Sequence, residues 1–268
     1  MSTSGLIEAL FDYRADLILW TLASIGIYGL GANLVHFLRS PSAGRFGRWL
    51  RTFESGPYGS MLLEALRFLY YLCVPYVALT RGVTNAPLMG LWSIDWFKVS
   101  WFERLGLGTV LGLGTLVLLL WGWRRYLQAA TAIGYWPYGR PFLESAKTVL
   151  TPWGWGLILL EVLYLEIHWA FYRGATIRLL GDYYGVFLSI LVIVGEWWLN
   201  PQTRRYLSMA RQNGETLNTV AMALSVTIVY YFTSNLWLCV AVHMAVQCGL
   251  LLFMALWYGS PDYEGQED

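Results

Sequence analysis

Runs of about twenty apolar residues, separated by short basic loops, constrain this chain more than any other feature. The hydrocarbon core of a bilayer is about 30 Å thick and a helix rises about 1.5 Å per residue, so about 20 predominantly apolar residues cross it. Lipid offers no hydrogen bonds, so a spanning backbone must satisfy itself as a helix or a closed barrel. Seven stretches have helical rather than strand length: 17–37, 60–80, 103–123, 152–172, 182–200, 215–233 and 236–257. Of the 268 residues 57% are hydrophobic and 13% charged, about half the charged share of a soluble domain. The expected fold is all-α, a polytopic membrane bundle of about seven transmembrane helices, with the lipid bilayer as its first partner. A net charge of +1 gives no reason to expect a nucleic-acid partner. Cys73, Cys239 and Cys248 lie inside apolar runs without metal-ligand spacing and read as small buried hydrophobes. No cofactor is implied.

The segments between the runs are informative in a different way. The start, "MSTSGLIEALFDYRAD", is mixed and acidic rather than a basic region before a short apolar core, so it reads as an interfacial helix and not as a cleavable signal. Residues 84–100, "TNAPLMGLWSIDWFKVS", are too polar to span, and Trp92 and Trp96 suit an interfacial or re-entrant segment. Segment 126–150, with Gly134, Pro137, Gly139 and Pro141, reads as a loop with a turn or two of amphipathic helix. Positive residues set orientation. Loop 38–59 carries Arg39, Arg45, Arg48 and Arg51. Loop 124–150 carries Arg124, Arg125, Arg140 and Lys147, and loop 201–214 carries Arg204, Arg205 and Arg211. The other side has Arg14, Arg81, Lys98, Arg104, Arg173 and Arg178. The basic loops and the acidic tail "PDYEGQED" are therefore expected in the cytoplasm and the N-terminus outside, with the chain in the cell (inner) membrane.

Charged groups inside spans cost several kcal/mol unless paired or wetted, so each is a candidate functional residue. They are Glu64 and Arg67 in the second stretch, Glu161, Glu166 and His168 in the fourth, Glu196 in the fifth and His243 in the seventh. Glu64 and Arg67, three apart, suit a structural ion pair. Glu161 and His168 are seven apart and share one face, expected to look into the bundle. Glu166 and Arg173 share another and are expected to pair near the outer interface, with Arg173 snorkelling to water. His243 and Gln247 lie four apart on one face, a spacing that suits catalysis, ligation or structural glue between helices. With spans drawn as above, His168 and His243 are expected at one depth and Glu196 deeper. The Gly-rich stretch "GLGTVLGLGTL" is expected to pack closely through its small residues.

"HWAFYRG" (168–174) and "LSVTIVYYFTSNLWLCVAVHMAVQ" (224–247) resemble the CPBP family of CAAX prenyl endopeptidases and bacteriocin-processing membrane proteins, also called Abi. The likeness covers roughly 150–257. It implies an N-terminal membrane region over 1–150 with about three spans, a CPBP-like helical core over 151–258 in the C-terminal half, and a tail over 259–268. The family's first motif is EExxxR, usually followed by Gly. With Arg173 and Gly174 in register, His168 and Trp169 stand where the family has its two glutamates. Its middle motif, Phe-x-x-x-His, best matches "VIVGE", with Glu196 in the histidine position. The last motif keeps its histidine as His243 and has Gln247 in place of Asn. The resemblance thus implies a catalytic set of His168, His243, Glu196, Gln247 and Arg173, with Glu and His exchanged between two helices.

Two consequences of the exchange stay open at the level of sequence. Either a glutamate or an imidazole activates water near neutral pH, and Gln247 can stabilise an oxyanion. A base displaced by about 1 Å can lose 10²-fold in rate, and a pair moved to the other helix can lose the chemistry altogether. The first reading is a CPBP-type intramembrane endopeptidase acting on membrane-proximal segments of other membrane proteins. The second is a catalytically impaired homologue, a scaffold, assembly factor or complex subunit built on the same fold, and the missing glutamate pair favours it. A catalytic zinc held by His168, His243 and Glu196 or Glu161 is a third arrangement. A transporter is disfavoured by the absence of an inverted repeat and of paired broken helices.

Overall fold

The structure, a computed structural model, describes residues 13–54, 56–91, 99–132, 142–208 and 213–258. Ten helices and no strand lie among them: α1 (Tyr13–Arg39), α2 (Gly44–Glu54), α3 (Pro57–Thr80), α4 (Val99–Ala132), α5 (Leu143–Val149), α6 (Gly154–Leu180), α7 (Asp182–Trp198), α8 (Pro201–Ser208), α9 (Asn213–Thr233) and α10 (Leu236–Tyr258). A 3₁₀ turn, Pro41–Ala43, joins α1 to α2. Five helical segments are long and apolar enough to cross a membrane: Ala15–Arg39, Ser100–Ala129, Gly154–Leu180, Gly214–Thr233 and Leu236–Trp257. The pair α7 and α8, bent by 92°, makes a sixth if counted as one span. The second expected stretch, 60–80, forms α3, whose apolar part is the shorter Ala65–Thr80, with Pro75 inside the helix. The described residues are all-helical in fold, and the chain is a multi-pass membrane protein.

Several boundaries differ from the sequence expectation. The fourth span begins two residues late but runs on to Leu180, because nothing after Arg173 breaks a helix until Gly181, whose φ of 81° ends it. Segment 126–150 is more helical at its start than expected, because α4 continues to Ala132, while α5, Leu143–Val149, supplies the turn or two of helix expected there. The expected interfacial helix at the start falls mainly on residues 1–12, outside the described residues. So do the tryptophan-bearing part of segment 84–100, residues 133–141 and the acidic tail. Residues 84–91 form turns rather than a helix, with Asn85 Oδ1 accepting from Leu88 N at 2.9 Å.

The chain divides into two compact units, Met1–Trp92 with Tyr164–Arg205, and Ser93–Leu163 with Tyr206–Asp268. In the first, α1, α3, α7 and the larger part of α6 bury Leu17, Tyr71, Trp169, Phe171 and Ile193. The turn from α6 to α7 is tight. A Cβ on Gly185 would run into the Ile177 backbone and the Thr176 carbonyl, so this position admits only glycine at the observed approach. Helix α7 stops where Pro201 forbids its continuation and opens α8 instead. The carbonyl of Leu199 freed there accepts from Asn33 Nδ2 of α1 at 3.0 Å, and Asn200 Nδ2 donates to Tyr28 Oη at 3.1 Å. Asn33 of α1 thus satisfies a backbone carbonyl at the α7–α8 corner, as a broken helix in lipid requires.

In the second unit, the Gly-rich run on α4 meets α10. A Cβ on Gly108 would touch Leu238 at 2.5 Å, and one on Gly112 would touch Val242 at 3.1 Å. The two glycines stand four apart on one face, so the helices approach through the small residues the sequence pointed to. The α9–α10 turn places Ser234 at a φ of 48°, and Asn235 Oδ1 caps α10 by accepting from Leu238 N at 3.1 Å.

Candidate membrane-embedded acid–base site

The first unit holds a buried polar cluster assembled from four helices. His168 lies near the middle of α6 and Glu196 two residues before the end of α7. His168 Nε2 is 3.1 Å from Glu196 Oε1 and 3.3 Å from Oε2, and both side chains are 0% exposed. Tyr70 Oη of α3 donates to Glu196 Oε1 at 2.7 Å, and Tyr172 Oη of α6 donates to the same oxygen at 3.0 Å. Ser24 Oγ of α1 lies 3.1 Å from the Tyr70 hydroxyl and 3.0 Å from that of Tyr172. Tyr70 Oη also approaches the Ser24 carbonyl at 3.0 Å. The aromatic surroundings are close: the His168 ring centroid lies 5.2 Å from that of Tyr70, 4.7 Å from Tyr71 and 4.6 Å from Tyr172.

The local sequence explains this convergence. Tyr172 follows His168 by four residues and therefore stands one turn along the same face of α6. Glu196 reaches that face because Gly185 lets α7 lie close to α6. An ionised Glu196 only accepts, so it pairs with the tautomer of His168 that carries its N–H on Nε2. The other ring nitrogen, Nδ1, is buried and has no hydrogen-bond partner among the described residues. An imidazole oriented by a carboxylate through one nitrogen, with a lone pair left on the other, is the arrangement of a general base.

A buried charge pair lies on α6 itself. Arg173 Nη2 donates to Glu166 Oε2 at 3.0 Å, with both side chains 0% exposed. The pairing agrees with the seven-residue spacing, but the expected location does not. Arg173 does not snorkel to an interface, because α6 continues seven residues beyond it. The turn after α3 also packs onto the same stretch: the Leu88 carbonyl and Thr84 Oγ1 lie 3.2 Å from where a Gly174 Cβ would be. Glu161, expected to share the inner face with His168, is exposed instead. The drawn depths change as well. With α6 running on to Leu180, His168 sits about 18 Å from the helix end, which is how Glu196, expected to be deeper, comes to meet it.

The remaining sequence candidates have separate surroundings. Arg67 is exposed, its guanidinium 5.2 Å from the Tyr164 ring centroid and 5.9 Å from that of Tyr71. The Glu64 side chain lies outside the described residues, so its expected pairing with Arg67 does too. His243 and Gln247 belong to the second unit, where His243 is buried on α10 and Gln247 Oε1 accepts from Asn218 Nδ2 of α9 at 3.4 Å. Among the described residues no group of three His, Cys, Asp or Glu side chains that could hold a metal ion lies together.

Sequence reasoning missed Ser24, Tyr70 and Tyr172. Tyrosine is common at membrane interfaces and serine costs little in a span, so neither residue type stands out as charged groups do. The one available signal was the four-residue spacing of Tyr172 from His168. Comparison with protein-family models, with curated proteins and with solved structures returns no match for this chain.

Proposed function

We propose that this chain is a CPBP-like integral membrane protein, a divergent intramembrane peptidase in which His168 and Glu196 form the acid–base pair. The contact between His168 Nε2 and Glu196 carries the proposal. The resemblance put a histidine in the family's glutamate position and a glutamate in its histidine position, and an exchange on both sides of one contact keeps the pair. In this reading His168 Nδ1 accepts a proton from water as its oxygen attacks a peptide carbonyl. Glu196 stabilises the imidazolium that forms, and the proton then passes to the leaving amine. Tyr70, Tyr172 and Ser24 hold Glu196 in place. His243, Gln247 and Arg173 enter the catalytic set through the resemblance alone. The substrates are membrane-proximal segments of other membrane proteins. The finer topology belongs to the same proposal: seven spans, a CPBP-like core over 151–258, and the basic loops and C-terminus in the cytoplasm of a cell with the protein in its inner membrane.

A second reading rests on a different feature of the cluster. Oε1 of Glu196 alone lies within hydrogen-bond distance of His168, Tyr70 and Tyr172, and its side chain is 0% exposed. A polar clasp of that kind joins helices in a non-catalytic scaffold or complex subunit just as well. Peptidase activity in proteoliposomes, measured with prenylated and transmembrane peptides, separates the two. The peptidase reading expects cleavage by wild type and a loss of about 10²-fold or more for His168→Ala, Glu196→Gln and His243→Ala, with unchanged folding. Absence of cleavage by the wild type, or cleavage undiminished in all three variants, overturns it in favour of the scaffold.

A further inference from the structure

Helix α2 has the sequence "GRFGRWLRTFE" and lies between two apolar helices, immediately after the span that ends at Arg39. Two contacts hold its last turn there. Arg39 Nε donates to Glu54 Oε1 at 3.2 Å and Oε2 at 3.0 Å, tying the last turn of α2 to the last residue of α1. The start of α3 comes so close that a Cβ on Gly59 would collide with the Phe53 carbonyl. A helix fixed to the end of a spanning helix stands at the level of the lipid headgroups.

Its faces are sorted by chemistry. Phe46, Trp49 and Phe53 follow i, i+3, i+7 spacing and form a continuous ladder. Phe46 stacks on Trp49 at 5.6 Å between centroids, and Trp49 stacks on Phe53 at 5.6 Å with planes 13° apart. Phe46 is 56% exposed and Trp49 58%. Such a ladder is costly against water and gains free energy at the boundary of headgroup and acyl chain, where amphipathic rings partition. Arg45 and Arg48 stand on the flank beside it, exposed and outside the Arg39–Glu54 pair. Gly47, on the opposite side, is buried.

We infer that α2 is a binding site for anionic phospholipid: the Phe46–Trp49–Phe53 ladder inserts at the acyl boundary while Arg45 and Arg48 take the negatively charged headgroups. An aromatic face alone would suit neutral lipid equally well. The arginine stripe beside it gives the preference for anionic surfaces, because each basic residue near such a surface adds attraction that salt screens. This inference does not depend on the His168–Glu196 chemistry.

Hydrogen exchange over residues 44–54 of the full chain tests it, comparing nanodiscs of phosphatidylcholine alone with nanodiscs that also contain phosphatidylglycerol. Each arginine is expected to contribute about fivefold, so anionic lipid should slow exchange in α2 by about 25-fold. Salt at about 1 M, where the Debye length is about 3 Å, should remove the difference. The Arg45→Gln/Arg48→Gln variant should lose it without any change in exchange over α6 and α7. Trp49→Ala should speed exchange in both lipid compositions. Equal exchange in the two nanodiscs at low salt overturns the inference, as does a double variant that responds to phosphatidylglycerol as wild type does. Protection by inorganic phosphate in detergent, without lipid, overturns the assignment to a membrane surface.

Discussion

Buried charge in α6 has two consequences that separate at the level of single residues. Glu166 and Arg173 are fully buried and 3.0 Å apart, so removing one partner leaves an ion in a medium that solvates it poorly. Glu166→Ala is therefore expected to destabilise the protein by about 3–5 kcal/mol, measured by thermal or denaturant unfolding in detergent. The double change Glu166→Met/Arg173→Met removes both charges and fills the space, so it should cost less than the single change. A double variant at least as unstable as Glu166→Ala would show that the pair contributes more than its mutual neutralisation. The i, i+7 spacing made this pair legible in the sequence, because helical geometry alone fixes which residues share a face. Its burial was not legible, since it depends on how far α6 runs past Arg173 and on the turn that packs over Gly174.

At the level of elements, glycines decide which helices approach. Gly185 and Gly195 both lie in α7, yet their surroundings differ. A Cβ at Gly185 would meet the backbone of Ile177, whereas a Cβ at Gly195 would meet nothing within 4 Å. Gly185→Ala should force α7 away from α6 and cost about 1–3 kcal/mol or more, as overpacking does. It should also lengthen the His168–Glu196 contact, which α7 delivers. Gly195→Ala should be neutral or stabilising by up to about 1 kcal/mol, because alanine loses less conformational freedom in a helix. Unfolding measurements on the two variants check the difference, and equal effects would contradict the close approach at Gly185. Hydropathy alone could not have distinguished them, since both glycines sit in the same apolar run. The Gly-rich face of α4 was readable because Gly108 and Gly112 stand four residues apart in a glycine-rich run, whereas Gly185 is a single residue whose role appears only once Ile177 is opposite it. In the same way the corner between α7 and α8 was half visible: Pro201 marks the break, but Asn33 as the partner of Leu199 is 166 residues away in sequence.

At the level of the whole molecule, the apolar helices differ in how much surface they keep outside the protein. Only 11% of the most apolar window is buried in the spans of α1 and α4, against 56% in those of α6 and α10. Leu118, near the middle of α4, is 67% exposed. In water such a face would be a liability that a charged residue improves. In a bilayer it is the lipid contact, and a charge there opposes insertion. Leu118→Arg distinguishes these environments. Arginine at the centre of a spanning helix costs about 2.5–3.5 kcal/mol on insertion scales, so the variant should show a reduced fraction resistant to alkaline carbonate extraction of membranes. Leu118→Ala, which keeps the face uncharged, should extract as wild type does. The Gly-rich side of the same helix faces Leu238 and Val242 of α10, so Leu118→Arg tests the lipid-facing surface without touching that packing. An arginine variant that inserts as fully as wild type would mean that α4 does not present Leu118 to lipid, and the apolar surface of this helix would then need a protein partner to cover it.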